Sequence, residues 1–303
     1  MPMTHFICPD GEYIEINQCL SKHGCRMGQR CATKAYLRLA AQERPYNGIT
    51  PSMAGNGPRL IYLKELVDYA VSPESRAFAA LGVGVHGKLS VHAFTDNILS
   101  EEPLSDEQTA GTPDCLEEDE ENEGCYILTD YKTFGSFKIA KALGIYKEDV
   151  PVTDDDGNQI YYKSGQKKGQ GKTRQEIRHD PSKADVMVEA YQLNRYRILF
   201  EQAGFPISRM QLQAIVRDGN TKSASMNGVN HNVYIIELPR YTDQEVLGYY
   251  HQLECEIDCA FYTDQVRLCN DWENWGGRRC ERFCEVRESC KAMEQKANKS
   301  KAA

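Results

Sequence analysis

The chain has 303 residues, enough for one large domain or one domain with small appendages. Hydrophobic residues make up 41% of it, so a real core is affordable, yet no apolar run approaches the roughly 18 residues of a membrane span. The opening MPMTHFICPDGEYIEI lacks an export pattern, so a soluble, cytoplasmic protein with no membrane partner is expected. A net charge of −8 excludes a generally basic coat for nucleic acid but leaves room for a local basic groove.

In chain order, the first thirty residues are cysteine-punctuated and irregular, and helix is expected from Cys31 until the break at Pro45. After a Gly/Pro/Ser/Asn-rich stretch to Pro58, helices are expected over Arg59–Val71 and from Glu74 to about Phe94, where apolar residues recur at three and four. Asp106–Leu116 and Gly124–Asp130 read as an antiparallel hairpin around the acidic run Glu117–Glu123, whose simplest reading is a solvated loop. A short helix follows over Gly135–Ile145, then a polar, Gly-rich, basic loop over Val152–Asp180. A long helix over Pro181–Ala203, strands near Leu212–Arg217 and Val233–Leu238, and a helix from Asp243 complete the order, with a lysine-rich tail after Ala292 expected to fray. This is the pattern of a mixed α/β domain and not of a Rossmann unit, and no Gly-rich phosphate loop occurs.

The chemistry centres on Gly111-Thr112-Pro113-Asp114 and, sixteen residues after Asp114, on Asp130-Tyr131-Lys132. Carboxylates on two adjacent strands can converge on a hard divalent cation such as Mg²⁺ or Mn²⁺. Lys132 shares a strand face with Asp130 and could orient an attacking water or neutralise phosphate charge. Taken alone, Asp114 is as well read as a turn residue and Asp-x-Lys as a surface pair. Two further features add weight: His86 in Gly82-Val83-Gly84-Val85-His86, an imidazole able to ligate metal, and Gln192 with Tyr196, four apart on one helix face.

The ordered set G-x-x-x-H, G-x-P-D, D-x-K, Q-x-x-x-Y resembles the RecB-like branch of the PD-(D/E)XK nucleases over roughly residues 31 to 290. The resemblance implies an α/β, restriction-endonuclease-like core, with a mixed sheet flanked by helices. It implies His86, Asp114, Asp130 and the Tyr131 carbonyl as metal ligands, Lys132 as the catalytic lysine, and Gln192 and Tyr196 as a supporting pair.

The twelve cysteines are clustered, which without an export signal points to metal or cluster ligation before disulfides. The middle pair, Cys115 and Cys125, falls in expected strands and reads as ordinary core thiol. Cys31 just before the first helix, with Cys280, Cys284 and Cys290, resembles the iron–sulfur nucleases, namely the CRISPR-associated RecB-like exonucleases and the nuclease domains of AddB-type helicases. That resemblance implies a [4Fe–4S] cluster on these four thiolates, although the late group has C-x-x-x-C where the family has C-x-x-C. Zinc at Cys8, Cys19 and Cys25 is a second expectation, with Cys255, Cys259 and Cys269 as further partners. An alternative allocation puts Cys8, Cys19, Cys25 and Cys31 in one site and Cys269 with the late trio, and spacing does not choose between the two.

The resulting expectation is a Cys-rich segment at 1–30, a RecB-like nuclease core at 31–264 and a Cys-rich segment at 265–303 closing the cluster. DNA, as single strands or ends, is the expected substrate, gripped by the basic excursion Lys163–Arg178 and by Arg195 and Arg197. By resemblance, a helicase or CRISPR adaptation proteins are expected as separate partners, and a homo-oligomer is left open. An iron–sulfur or zinc nucleic-acid-binding protein on an idle nuclease fold is the rival reading.

Overall fold

The structure is a computed structural model that describes residues 3–43, 46–93 and 98–302, as backbone alone beyond 296. The expected break at Pro45 and helix end at Phe94 lie outside the described residues. In chain order the elements are β1 (Met3–Ile7), β2 (Tyr13–Glu15), α1 (Ile16–Leu20), α2 (Lys34–Ala40), α3 (Pro58–Leu66), β3 (Tyr69–Val71) and α4 (Ala77–Ala93). The short strands β4 (Leu104–Ser105) and β5 (Ala110–Gly111) precede β6 (Cys115–Glu118), β7 (Tyr126–Phe134), α5 (Ser136–Ala142), β8 (Ile145–Pro151) and β9 (Thr173–His179). Then come α6 (Met187–Gln202), β10 (Ile207–Val216), α7 (Lys222–Met226), β11 (Val233–Glu237), α8 (Asp243–Thr263), α9 (Arg278–Arg282) and α10 (Arg287–Ala302). This is a mixed α/β protein with several small sheets, and among the described residues no helix is long and apolar enough to cross a membrane.

The chain forms two compact units, the first made of Met1–Leu128, Val188–Met210 and Pro239–Ala303, the second of Thr129–Met187 and Gln211–Leu238. Strands β7 and β10 each begin in the first and end in the second.

In the first unit, β1 pairs antiparallel with β2 and parallel with β3, so Phe6, Ile14, Tyr69 and Val71 bury against Leu37, Leu60, Tyr62 and Leu63. The residues Tyr69–Val71 therefore leave the helix expected there: α3 stops at Leu66, Val67 is extended, and aromatic and β-branched residues suit the strand. A second core gathers Ile61 of α3, Ile198 of α6 and the stripe Val246, Tyr250, Leu253 and Ile257 of α8. That stripe repeats every three or four residues, as an amphipathic helix requires. Thr242 and Glu245 close a capping box at its start.

Helix α4 departs from its expected amphipathicity. Ala93 is its one buried residue among those described, while Phe78, Leu81, Val83 and Val91 are exposed. The cause is composition: alanine, glycine and valine leave this helix apolar nearly all round, so no polar face tells it how to sit. The lysine-rich tail, expected to fray, is helix α10, as its run of Glu, Lys, Gln and Ala favours.

In the second unit the segment expected as a loop over Val152–Asp180 belongs to a β-ribbon. Strands β8 and β9 pair from Ile145↔His179 to Pro151↔Thr173, and bridges Thr153↔Gln159 and Tyr161↔Gly171 carry the pairing onward. Most of its residues are exposed on both sides, so the sequence lacks the apolar alternation by which strands are recognised. Cross-strand charge supplies cohesion instead, with Arg178 bonded to Glu148 at 2.9 Å.

Helix α6 is buried along most of its length, including Asn194, Arg195 and Arg197. Arg195 is fully buried and donates to Asp106 at 2.5 Å, and Arg197 pairs with Glu201 and Asp243, both at 2.6 Å. Their placement corrects the expectation that these arginines grip a substrate: both guanidiniums are buried inside the fold, although Arg195 Nε and Nη1 have no hydrogen-bond partner there. Burial tends to raise the Asp106 pKa, but the Arg195 guanidinium and the Thr109 and Gln108 N–H groups outweigh it and hold it below the usual aspartate value. Removing one partner of a buried pair strands the other charge, so Asp106→Ala should destabilise the protein by about 3–5 kcal/mol in a denaturant titration. Because the folded pKa is depressed, the contribution is complete above the unfolded aspartate value and lost as pH falls through the lower folded value. Asp106→Asn should remove that part of the acid transition.

Candidate functional site

In the first unit, α4 presents His86 to the residue preceding β6, with its Nδ1 3.2 Å from Asp114 Oδ1. Asp114 is mostly buried, and its own carbonyl accepts a hydrogen bond from Ser100 Oγ at 2.9 Å. An imidazole and a carboxylate so placed can pair with each other or share a cation.

Tyr196, buried on α6, donates from its hydroxyl to the Thr112 carbonyl at 3.3 Å. The ring also fills the space beside Gly111, where an added Cβ would stand 2.8 Å from both ring carbon and hydroxyl and 2.9 Å from Pro51 Cδ. Glycine three residues before Asp114 is therefore a packing requirement of Tyr196. Gln192 lies one turn earlier on the same helix, half-buried. The two weak motifs G-x-P-D and Q-x-x-x-Y thus meet through Gly111, Thr112 and Tyr196.

In the second unit, β7 carries Asp130, Tyr131 and Lys132. Asp130 is 4% exposed, and its Oδ2 lies 2.5 Å from Lys132 Nζ. Strand alternation puts Tyr131 on the opposite face, as it does Thr129, whose Oγ1 accepts from Gln211 Nε2 at 3.0 Å.

No disulfide is formed among the described cysteines. Cys8, Cys19, Cys25 and Cys31 line one small cavity of the first unit, of about 20 Å³. Cys269, Cys280, Cys284 and Cys290 line another of about 290 Å³, together with Arg59, Arg287 and Lys291. Cys31 is therefore grouped with the early thiols, and Cys269 with the late trio. Burial pushes the Cys19 thiol up, and the nearby Cys25, Cys31 and Cys8 add to the effect. Burial likewise raises Cys269, to about 11, and Cys284. Arg59 is itself buried and donates to Cys290 Sγ at 3.7 Å and to the Val266 carbonyl at 2.8 Å. As they stand, no group of three or more His, Cys, Asp or Glu side chains among the described residues is set to hold a metal ion. Cys255 and Cys259 lie on the exposed side of α8 and line neither cavity.

Sequence reasoning gave Cys269 a secondary place and missed Gly111 as a fitted contact. The first had a signal, since Cys269 stands eleven residues before Cys280 in a cysteine-dense segment. The second had none, because the partner ring lies more than eighty residues away.

The basic stretch Lys163–Arg178 spans the ribbon's far end and β9. There Lys167 and Lys172 stand over the Tyr162 ring at 5.9 and 5.5 Å, and Arg174 and Arg178 are bonded to Glu176 and Glu148.

No family model matches this chain, and no curated protein matches it. Among solved structures, one described as "Crystal structure of SSO0001" is similar over 84% of this chain and 90% of its own, with 16% identity and a TM-score of 0.38. A likeness at that level carries no argument about activity.

The fitted glycine makes a direct test. Gly111→Ala should force Tyr196 or Pro51 to shift and lower stability by about 1–3 kcal/mol in chemical denaturation. Pairing it with a smaller residue at 196, as in Gly111→Ala/Tyr196→Leu, should recover part of that loss, and strictly additive losses would count against the contact.

Proposed function

We propose that this chain is a metal-dependent DNA nuclease of the PD-(D/E)XK type, with a restriction-endonuclease-like core, acting on single strands or DNA ends. The observation that carries this reading is the Asp130–Lys132 pair. A surface Asp-x-Lys would leave both groups in water, whereas here the carboxylate is buried and held against the ammonium at 2.5 Å. A buried carboxylate is costly for a fold, and sites of chemistry are where such cost is found. The ordered appearance of His86, Asp114, Asp130-x-Lys132 and Gln192-x-x-x-Tyr196 supports it further.

The donor set suits a hard divalent cation. By donor type, His86 and Asp114 of the first unit offer a ring nitrogen and a carboxylate, and Asp130 and the Tyr131 carbonyl of the second offer oxygens, all of them ligands suited to Mg²⁺ or Mn²⁺. When bound, such an ion would polarise the scissile phosphate and lower the pKa of a water. Lys132, beside Asp130, would orient the attacking water and balance charge on the phosphate. Hydrolysis then forms one P–O bond from water and breaks another, the departing oxygen taking a proton. Tyr196 and Gln192 act as positioning residues: Tyr196 fixes the Gly111–Thr112 backbone two residues ahead of Asp114. The ribbon's exposed Lys163, Lys167 and Lys168 would track phosphates without reading sequence.

The late thiols, Cys269, Cys280, Cys284 and Cys290, fit a [4Fe–4S] cluster by donor type and by the room around them, with Arg59, Arg287 and Lys291 offsetting its negative charge. In this reading the cluster is structural and takes no part in hydrolysis.

Cleavage of end-labelled single- and double-stranded DNA with Mg²⁺ or Mn²⁺ tests the enzyme. Lys132→Ala should lower the rate by about 100-fold or more with its fold and metal content intact. A folded, metal-loaded parent that leaves DNA whole would move the reading to a binding protein on an idle nuclease fold. A second expectation concerns iron: Cys269→Ser and Cys280→Ser should each lose it after anaerobic purification, and Cys31→Ser should keep it. Loss of iron in Cys31→Ser with retention in Cys269→Ser would restore the early cysteine as the fourth ligand.

A further inference from the structure

The early cavity has no part in the chemistry above, yet four cysteines from four separate places wall it. Cys8 follows directly on β1, and Cys19 is the buried residue of α1. Cys25 opens a turn closed by the Gly28 N–H on its carbonyl at 3.1 Å, and Cys31 lies three residues before α2. We propose that Cys8, Cys19, Cys25 and Cys31 form a tetrathiolate site for a single zinc ion, separate from the late thiols, that closes the N-terminal segment onto its core.

Donor chemistry comes first. Structural zinc takes four nitrogen or sulfur ligands in a tetrahedron, and this cavity supplies four thiols with no competing carboxylate or imidazole among its lining residues. Size comes next. The cavity of about 20 Å³ has room for roughly one water-sized guest, which suits one ion and is far too small for a four-iron cube. The late cavity is more than ten times larger.

Charge is the third argument. Four thiolates around Zn²⁺ leave two negative charges, and Arg30 lines the same cavity beside Arg26, which is already paired with Asp10. Arg30 donates from Nη2 to the Ser21 carbonyl at 2.5 Å, while its Nε is buried there with no hydrogen-bond partner. A buried, unpartnered N–H costs free energy until an acceptor arrives, and thiolate sulfur is one.

The last argument is structural need. Residues 21–33 contain no helix or strand. Yet the segment is folded hard against α1: the Gln18 carbonyl oxygen leaves no room for a Cβ at Gly24. A metal crosslink is a means of holding a segment so short of backbone bonds. Each Zn–S bond, about 2.3 Å long, replaces an S–H bond, so binding draws the thiols inward and releases up to four protons to solvent. Cys31 is exposed, which gives the ion a way in.

The test uses the full chain, purified anaerobically, with zinc and iron counted by mass spectrometry and the zinc shell read by X-ray absorption. The parent should carry one zinc per chain with four sulfur neighbours at about 2.3 Å. Cys25→Ser should lose most of that zinc while keeping its iron, and Cys25→His should keep zinc with three sulfurs and one nitrogen. Circular dichroism distinguishes ligand loss from unfolding, and the parent's absorption spectrum does not depend on any variant folding. A parent without zinc, iron in its place, an oxygen-rich shell, or full zinc in Cys25→Ser would each overturn the proposal.

Discussion

The constraint on which the first unit depends is the burial of charge on α6. Burying a guanidinium is costly unless it is paired, so the partners that Arg195 and Arg197 do find fix where other segments run. Arg195 fixes Asp106, and Arg197 fixes Glu201, Asp243 and the Tyr241 carbonyl. Asn194, directly before them, donates to the Ala190 and Pro239 carbonyls and accepts from the Tyr241 N–H. One helix thereby sets both the loop that leads toward Asp114 and the entry into α8.

The candidate site inherits this arrangement. The segment 106–112 is tied to α6 at both ends, by Arg195 at Asp106 and by Tyr196 at Gly111 and Thr112. Two residues on, Asp114 meets His86. A weakened Arg195–Asp106 pair should therefore disturb the aspartate through its backbone and not through charge, since several residues separate them. The polar residues of α6 are in this sense mechanical parts, and their proximity in sequence to Gln192 and Tyr196 is what made them look like substrate contacts.

How much of this was legible in the sequence depends on whether local chemistry or distant packing decided it. Helix α8 was readable because its apolar spacing and its Thr242–Glu245 cap agree, whereas of the β6–β7 pair only the second strand was, since the first, expected over Asp106–Leu116, is Cys115–Glu118 and runs into the acidic stretch. The β8–β9 ribbon was not, since strands with both faces in water need no alternation and its glycines imitate a loop. The strand at Tyr69–Val71 was hidden by a helical run directly before it, and only pairing with β1 decides it. At the site, Asp130 and Lys132 follow from a two-residue period, and His86 and Asp114 from their motifs. The fit of Gly111 to Tyr196 is long-range packing that one sequence does not encode visibly. For Arg195 and Arg197 the signal misled, because charge on a helix usually means a wet face and here means the opposite.

The two thiol quartets differ from a cluster that pins chain ends together. With Cys31 joined to Cys280, Cys284 and Cys290, a crosslink would close a loop of about 250 residues, and its main effect would be to restrict the unfolded chain. The proposed quartets, drawn from residues 8–31 and from 269–290, would close short loops instead. Such closures restrict the unfolded chain less, so their stabilisation must come from the metal–sulfur bonds themselves and from order imposed on segments poor in helix and strand. Both quartets sit on one core: Cys8 packs against it from the start of the chain, and Cys269, Cys284 and Cys290 from its end. That core, around Phe6, Leu37, Leu60 and Val286, packs residues from both ends of the chain against one another. On this arrangement, loss of either metal should loosen its own segment first and reach the other only through the shared core.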